Sequence, residues 1–249
     1  MKIGCVCPTY KRPELLGRAI HCFEQQTYDD RYLIILDDAS QYDCCSGDKW
    51  SLVSTPYRFN SLGGKRQAGI NMLPTNCDAY MAWDDDDVYF PEALYSVAKA
   101  LEDKPWAQCR LIYESAGERL LRIHRAFKTN PKTGRDMWGY GGTWAYRLDA
   151  LREVGGYDDN EARSSNDDID LGHKFLHRYG ESADSTSRGH PWYWYNRDPG
   201  VRKISDEGIG FWKQRASLPM QFVGRPNVGW NGNNMYAYRI LPGIHDRTF

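Results

Sequence analysis

Asp84-Asp85-Asp86-Asp87 is the densest concentration of one chemistry in the chain. Four consecutive carboxylates repel one another, and burial beside an apolar strand raises their pKa values. A bound divalent cation removes that cost, and hard carboxylate oxygens suit Mg²⁺ or Mn²⁺. In an extended segment alternate side chains share a face, so Asp84 and Asp86 are expected to converge while Asp85 points away. An arbitrary acidic run reads first as a solvated loop; the apolar run Ala79–Trp83 directly before this one favours a cation site. An EF-hand is excluded. With Asp84 as position 1, Tyr89 stands where that loop needs Gly and Tyr95 where it needs Glu.

A second acidic group, Asp167-Asp168-Ile169-Asp170, opens a helical pattern. Acids at a helix N-terminus complement the dipole. Three within four residues exceed what capping requires, which leaves one available as a general base. Gly63-Gly64-Lys65-Arg66 places backbone amides and two cations ahead of a helix, an arrangement that favours anions and is equally an ordinary helix start. It is not a P-loop, because Phe59 occupies the leading Gly position and Arg66 follows Lys65. No Gly-x-Gly-x-x-Gly follows the first strand, which disfavours a dinucleotide fold, and neither Gly-x-Ser-x-Gly nor His-Glu-x-x-His occurs, which removes the common hydrolases. Trp192-Tyr193-Trp194-Tyr195 alternates as a strand would, half of it suited to a core and half to a stacking platform for a sugar ring. The six His are dispersed and read as ordinary surface or core residues.

The elements that must position these groups alternate. Ile3–Cys7, Tyr32–Leu36, Ser51–Ser54 and Ala79–Trp83 read as buried strands. Helices are expected from Pro13 through Phe23, from Gly63-Gly64 to Leu73, and from Pro91 to about Leu101. Such alternation implies a mostly parallel sheet covered on both faces, with ligands at the carboxyl ends of the strands. The segments to inspect are therefore Pro8–Arg12, Asp37–Ser40 and Asp84–Asp87. Further on, Arg110–Tyr113 and Leu120–Arg125 suggest a hairpin, Phe127–Asp136 a polar loop, and Leu148–Val154 and Ile169–Tyr179 helices. Cys5 and Cys7 share a strand face and belong to the core.

Composition bounds the reading. At 249 residues the chain is one large domain, or one with an appendage. Its 32 Lys+Arg balance 33 Asp+Glu, which speaks against a general nucleic-acid binder. No run of 18 apolar residues spans a membrane. The N-terminus enters a strand pattern without a signal-peptide core. The seven Cys are odd in number and include no Cys-x-x-Cys, so a zinc site and a secreted disulfide framework are disfavoured and a cytoplasmic location is expected.

The order of these segments resembles family 2 glycosyltransferases. Cys7-Pro8-Thr9-Tyr10-Lys11-Arg12-Pro13-Glu14-Leu15-Leu16 is similar to the family's opening, and Gln26-Thr27-Tyr28 and Asp37–Ser40 to its next two elements. Gly63–Asn71, Asp84–Pro91, Gly142–Ala145, Gly155–Asp158 and Asp167–Leu171 follow in the family's order, so the likeness covers about residues 3–180. Departures are Asp167-Asp168 for Glu-Asp, Lys174 for a later Arg, and Gln67-Ala68 within the Ala-Arg-Asn segment.

The resemblance implies a GT-A fold: an α/β, Rossmann-like, mostly parallel sheet covered by helices, with a C-terminal acceptor-side extension. It divides the chain into a nucleotide-sugar half (1–105), an acceptor-binding and catalytic half (106–189), and an aromatic, Gly-rich extension (190–249). It implies a metal-dependent, inverting transfer from a nucleotide-sugar, by default a UDP-sugar, to a hydroxyl of a glycan or other acceptor. Pro8, Thr9, Tyr10, Arg12, Asp37, Asp38, Gly64, Lys65, Arg66, Asp84 and Asp85 would hold the donor, with Asp38 on the uracil N–H and Lys65 and Arg66 near the diphosphate or the base. Asp86 and Asp84, with His190 as a third ligand, would hold Mn²⁺ or Mg²⁺. Asp168, beside Asp167, would be the base, and Gly141, Gly142 and Trp144 would line the acceptor site. Two rivals stay open: a nucleotidyltransferase releasing pyrophosphate, and a non-catalytic carbohydrate-binding protein.

Overall fold

Short apolar runs closed by polar or Pro-containing segments form the strands of the computed structural model, which describes residues 1–115, 121–125, 128–129, 136–137, 140–159, 167–186 and 191–196. The first part of the chain runs β1 (Ile3–Thr9), α1 (Pro13–Glu24), β2 (Arg31–Asp37), β3 (Cys45–Ser46), β4 (Trp50–Ser54), α2 (Leu62–Asn71), β5 (Ala79–Ala82), β6 (Val88–Tyr89) and α3 (Ala93–Asp103). There follow β7 (Trp106–Gln108), β8 (Leu111–Ser115), β9 (Leu121–Arg125), β10 (Lys128–Thr129), β11 (Asp136–Met137), a 3-10 turn at Gly141–Thr143, β12 (Trp144–Arg147), α4 (Leu148–Glu153), α5 (Asp167–Tyr179), β13 (Ala183–Asp184) and β14 (Tyr193–Asn196).

Eight strands form the main sheet in the order β13-β7-β12-β5-β1-β2-β4-β3. β1 is parallel to β2 and β5, and β2 to β4; β12 enters antiparallel between β5 and β7, and β3 closes the edge antiparallel to β4. The strand period of two sorts side chains cleanly between the faces. Cys5, Cys7, Leu33, Ile35 and Met81 join Leu16 and Phe23 of α1 and Leu94 and Val97 of α3 in one core cluster. Val6, Ile34, Tyr80 and Ala82 join Ile70 of α2, Leu151 of α4 and Phe175 of α5 in the other. Helices therefore cover both faces, as buried parallel strands require.

Residues 106–184 add β7, β12 and β13 to the same sheet, so no structural break falls at 105/106. A second sheet has the order β6-β14-β8-β9. It contains the expected hairpin of β8 and β9. It also takes in the start of the aromatic tail: β14 pairs antiparallel with β6 and parallel with β8. The expected loop at Phe127–Asp136 instead contains a short hairpin, Lys128 opposite Met137 and Thr129 opposite Asp136. Among the described residues, no helix is long and apolar enough to cross a membrane.

Candidate active site

The loops at the carboxyl ends of β1, β2 and β5 meet at one place, and two of them carry local strain. Lys11 (φ 55°) and Ser40 (φ 53°) are the non-glycine residues with left-handed backbone among those described, one in each of the first two loops. Such conformations cost free energy and persist where surrounding structure fixes them, most often at functional sites.

The acid run turns instead of extending. Asp85 and Asp86 form a turn, so strict alternation fails there. Arg12 Nη1 donates to Asp85 Oδ1 at 2.8 Å and to Asp86 Oδ2 at 3.0 Å, which draws these two carboxylates together. Thr9 Oγ1 donates to the other Asp85 oxygen at 2.8 Å, and Arg18 Nη2 donates to the Asp86 carbonyl at 2.7 Å. The expectation that Asp85 points away is thus corrected: it joins Asp86 on Arg12, while Asp84 is held by Arg66 Nη2 at 2.8 Å. Arg12, expected on the donor, is here the clamp of the acid turn. Burial and then the Asp85 charge push the Asp86 carboxyl up to about 6, against the pull of Arg12.

Arg66 is 2% exposed and is shared by three carboxylates. Besides Asp84, Nη1 donates to Asp167 Oδ2 at 2.8 Å and to Asp168 Oδ1. Burial works against its charge, and Asp168, Asp167 and Asp84 outweigh that effect. Asp168 keeps a 27% exposed side chain. Burial pushes its carboxyl up to about 7; Arg66 opposes this, while Asp167 and Asp84 add to it. A Cβ at position 141 would overlap the Asp168 carboxylate, so glycine there lets that carboxylate keep its position. At Gly142 a Cβ would stand 2.9 Å from Asp84 Oδ2 and 2.7 Å from the Tyr193 hydroxyl. The 3-10 turn consequently lays bare backbone across Asp168 and Asp84 together.

Lys65, one residue earlier on α2, faces the loops that follow β1 and β2. Its Nζ donates to the Thr9 carbonyl at 2.6 Å and to Asp38 Oδ1 at 2.5 Å. Asp38 also accepts from Arg58 Nη1 at 2.9 Å and from the Phe59 amide at 3.1 Å. The Arg58 guanidinium lies 3.5 Å from the centre of the Tyr10 ring, a cation–π contact. Lys65 and Arg66 are internal counterions rather than free cations awaiting a diphosphate. Isolated buried carboxylates are too costly to leave unpaired, and these two side chains are the partners in reach.

Three other expected residues serve the scaffold. Asp37 accepts from the Ala39 and Gln41 amides at 3.1 and 2.9 Å and from Ser54 Oγ at 2.8 Å, so it shapes its own loop. The Gly64 amide donates to the N-cap Ser61 Oγ at 2.9 Å, and Asp159 accepts from the same hydroxyl at 2.6 Å, which fills the expected anion site. Trp144, expected at the acceptor, is 1% exposed and packs in the core edge-on to Trp106, with centroids 6.3 Å apart. Pro8 lies buried within β1 beside Thr9. His190 lies outside the described residues.

Sequence reasoning missed Arg58, Arg18, Tyr89 and Tyr193. The Tyr89 hydroxyl accepts from the Asp84 amide at 2.8 Å, and the Tyr193 hydroxyl donates to Asp87. The pairing of β14 with β6 makes these contacts, and the aromatic run Trp192–Tyr195 was the available signal.

The donor set suits one kind of ion. Asp84 and Asp86 offer hard oxygens, and among the described residues no group of three His, Cys, Asp or Glu is disposed to hold a metal alone. One or two carboxylates completed by substrate phosphates is the usual coordination of Mg²⁺. The residues fit such an ion bound together with a phosphorylated ligand.

The family model described as "Glycosyl transferase family 2" matches residues 5–155, more than half of the chain. The chain belongs to glycosyl transferase family 2. Within this family it is similar to the succinoglycan biosynthesis protein ExoW of Rhizobium meliloti, at 28% identity over 110 residues, 40% of this chain and 34% of ExoW. Its fold is similar to that of S. aureus TarS 1–349, with a TM-score of 0.57, 14% identity, and coverage of 81% of this chain and 62% of that one. A TarS structure with UDP-GlcNAc gives 0.58, again at 14% identity, covering 79% and 59%. The mannosyltransferase PcManGT of Pyrobaculum calidifontis, in complex with GDP-Man and Mn²⁺, gives 0.55 at 14% identity, covering 87% and 61%. The chain spans about a third of ExoW and about three fifths of these solved chains. The GT-A fold, a mostly parallel sheet under helices, is shared with these structures. The family match ends at residue 155, before Asp167 and Asp168.

Proposed function

We propose that this protein is a metal-dependent, inverting glycosyltransferase that moves a sugar from a nucleotide-sugar, by preference a UDP-sugar, to an acceptor hydroxyl. The observation that carries the reading is the Asp168 carboxylate, held by Arg66 beside Asp84 of the acid turn and crossed by the bare backbone of Gly141. Solved structures of similar fold with UDP-GlcNAc and with GDP-Man and Mn²⁺ support a nucleotide-sugar donor.

In this reading Tyr10, Thr9 and Asp38 flank the base and ribose, with Lys65 and Arg58 fixing Asp38. Asp86 and Asp84 would hold a divalent cation together with the donor diphosphate, and that ion would supply Lewis-acid stabilisation of the departing nucleotide. Arg12 and Arg18 hold the acid turn in shape before the donor arrives. Asp168 accepts the proton of the acceptor hydroxyl as its oxygen bonds to the anomeric carbon, and the bond to the diphosphate breaks on the opposite face. A carboxyl poised near 7 suits a general base, whose contribution is roughly 10²–10⁴-fold.

Asp168→Asn is expected to lower transfer by that factor, roughly 10²–10⁴-fold, with UDP binding intact. Near-normal turnover of this variant sinks the assignment. Asp86→Ala should abolish metal-dependent UDP binding, and an unchanged titration refutes its role. Product analysis separates the reaction classes, since sugar transfer releases UDP and nucleotidyl transfer releases pyrophosphate.

A further inference from the structure

The aromatic tail divides sharply by exposure. Trp192, Tyr193 and Trp194 are buried and complete the core around Tyr89, whereas Tyr195 stays partly exposed. Its ring lies 3.9 Å, centre to centre, from that of Tyr140, tilted by 44°, and Tyr140 is partly exposed too. The two come from distant parts of the chain, and β14 brings them together. Tyr140 immediately precedes Gly141, the residue that lies against the Asp168 carboxylate, and its carbonyl accepts from the Thr143 amide (2.9 Å) and hydroxyl (2.8 Å), which fixes the turn. Tyr195 is anchored through its stacked neighbour Tyr193, whose hydroxyl donates to Asp87.

We propose that Tyr140 and Tyr195 form a stacking subsite for the acceptor and that the acceptor is a neutral pyranose. The inference rests on the reading of Asp168 as the base. A pyranose has an apolar C–H face, which an aromatic ring covers, and a rim of hydroxyls, which carboxylates accept. Here a tilted pair of half-buried rings is attached one residue before Gly141, which lies against Asp168, and Asp84 and Asp167 share the arginine that holds Asp168. Three carboxylates against one guanidinium leave that rim negative. An acceptor carrying a phosphate or carboxylate beside the attacked hydroxyl would be repelled, and a purely apolar acceptor would leave the carboxylates without hydroxyl donors.

The test uses saturation-transfer NMR with UDP and Mg²⁺ present and four probes: methyl β-D-glucopyranoside, methyl β-D-galactopyranoside, methyl α-D-mannopyranoside and methyl N-acetyl-β-D-glucosaminide. At least one should receive saturation, strongest at the C–H protons of one ring face. Tyr140→Ala and Tyr195→Ala should each weaken that binding about tenfold. Tyr195→Phe should bind as the wild type. Tyr195→Leu keeps the apolar bulk and guards against a collapsed site; it should lose binding like the alanine variant. Glucose 6-phosphate should bind more weakly than the neutral glucoside. The proposal is overturned if none of the four pyranosides binds the wild type, if Tyr195→Leu binds as well as the wild type, or if the phosphorylated sugar binds as tightly. UDP titration of the same samples separates the two readings. A wild type that fails to bind UDP defeats the donor assignment, whereas loss of pyranoside binding with UDP binding intact concerns this subsite alone.

Discussion

Two neighbouring residues of α2 hold two ionic clusters of opposite balance. Lys65 shares one carboxylate, Asp38, with Arg58 and the Phe59 amide, so two cations meet one anion. Arg66 alone meets Asp84, Asp167 and Asp168, so one cation faces three anions. In the first cluster every charge has a partner, and its work is to fix the Tyr10 loop. In the second, ionising all three acids inside a largely buried site is costly, and part of that cost appears as a proton held more tightly on Asp168. Surplus positive charge makes a scaffold; surplus negative charge makes a group ready to exchange a proton.

Removing the central cation from each cluster gives the largest contrast. Arg66→Met leaves three carboxylates without their counterion and is expected to cost about 3–5 kcal/mol of stability in urea denaturation. Lys65→Met leaves Asp38 with Arg58 and a backbone donor, so about 1–3 kcal/mol is expected. If Lys65→Met proves the more damaging, the comparison is broken.

Gly141→Ala comes next in size. Its methyl group must displace the Asp168 carboxylate, and such a misplacement lowers kcat by roughly 10²-fold, with UDP affinity unchanged in calorimetry. A Gly141→Ala enzyme with normal kcat would show that Asp168 does not need its observed position.

Asp168→Asn sharpens the contrast through pH. The folded-state carboxyl is raised, so its contribution to stability is complete below about pH 4 and lost as pH rises through about 7. The asparagine variant lacks that loss. It should be more stable than the wild type at pH 8 and lose this advantage at pH 4, as thermal unfolding at the two values would reveal. A constant difference between the variants removes the link between burial and basicity. Arg58→Ala should have the smallest effect. The side chain is 52% exposed, so about 1 kcal/mol or less is expected in urea denaturation, with a larger relative loss in UDP affinity through Tyr10 and Asp38.

Much of this was legible in the sequence, for a physical reason. Buried parallel strands must be continuous apolar runs, so β1, β2, β4 and β5 stood out. Their carboxyl-end loops, with Asp38 and Asp84–Asp86, followed from the fold, and Asp168 from the acid-rich start of α5. Side-chain pairing was not legible. Alternation predicted that Asp85 would point away from Asp86, but Arg12 and a turn at Asp85-Asp86 hold the two together. Lys65 and Arg66 looked like cations for a diphosphate, because charge in a sequence does not reveal which acids fold against it. Trp144 was expected to line the acceptor site and is core, whereas the partly exposed rings, Tyr140 and Tyr195, meet only when β14 docks on β6 and β8.

The central claim is that the acid surplus around Arg66 makes Asp168 the base. Its most direct test is the pH dependence of kcat/KM for sugar transfer between pH 5 and 9. The expected profile rises about tenfold per pH unit below a break near 7 and is level above it, because only the ionised carboxylate accepts the proton. A profile already level at pH 5, or one that falls from pH 5 to 7, would contradict the account.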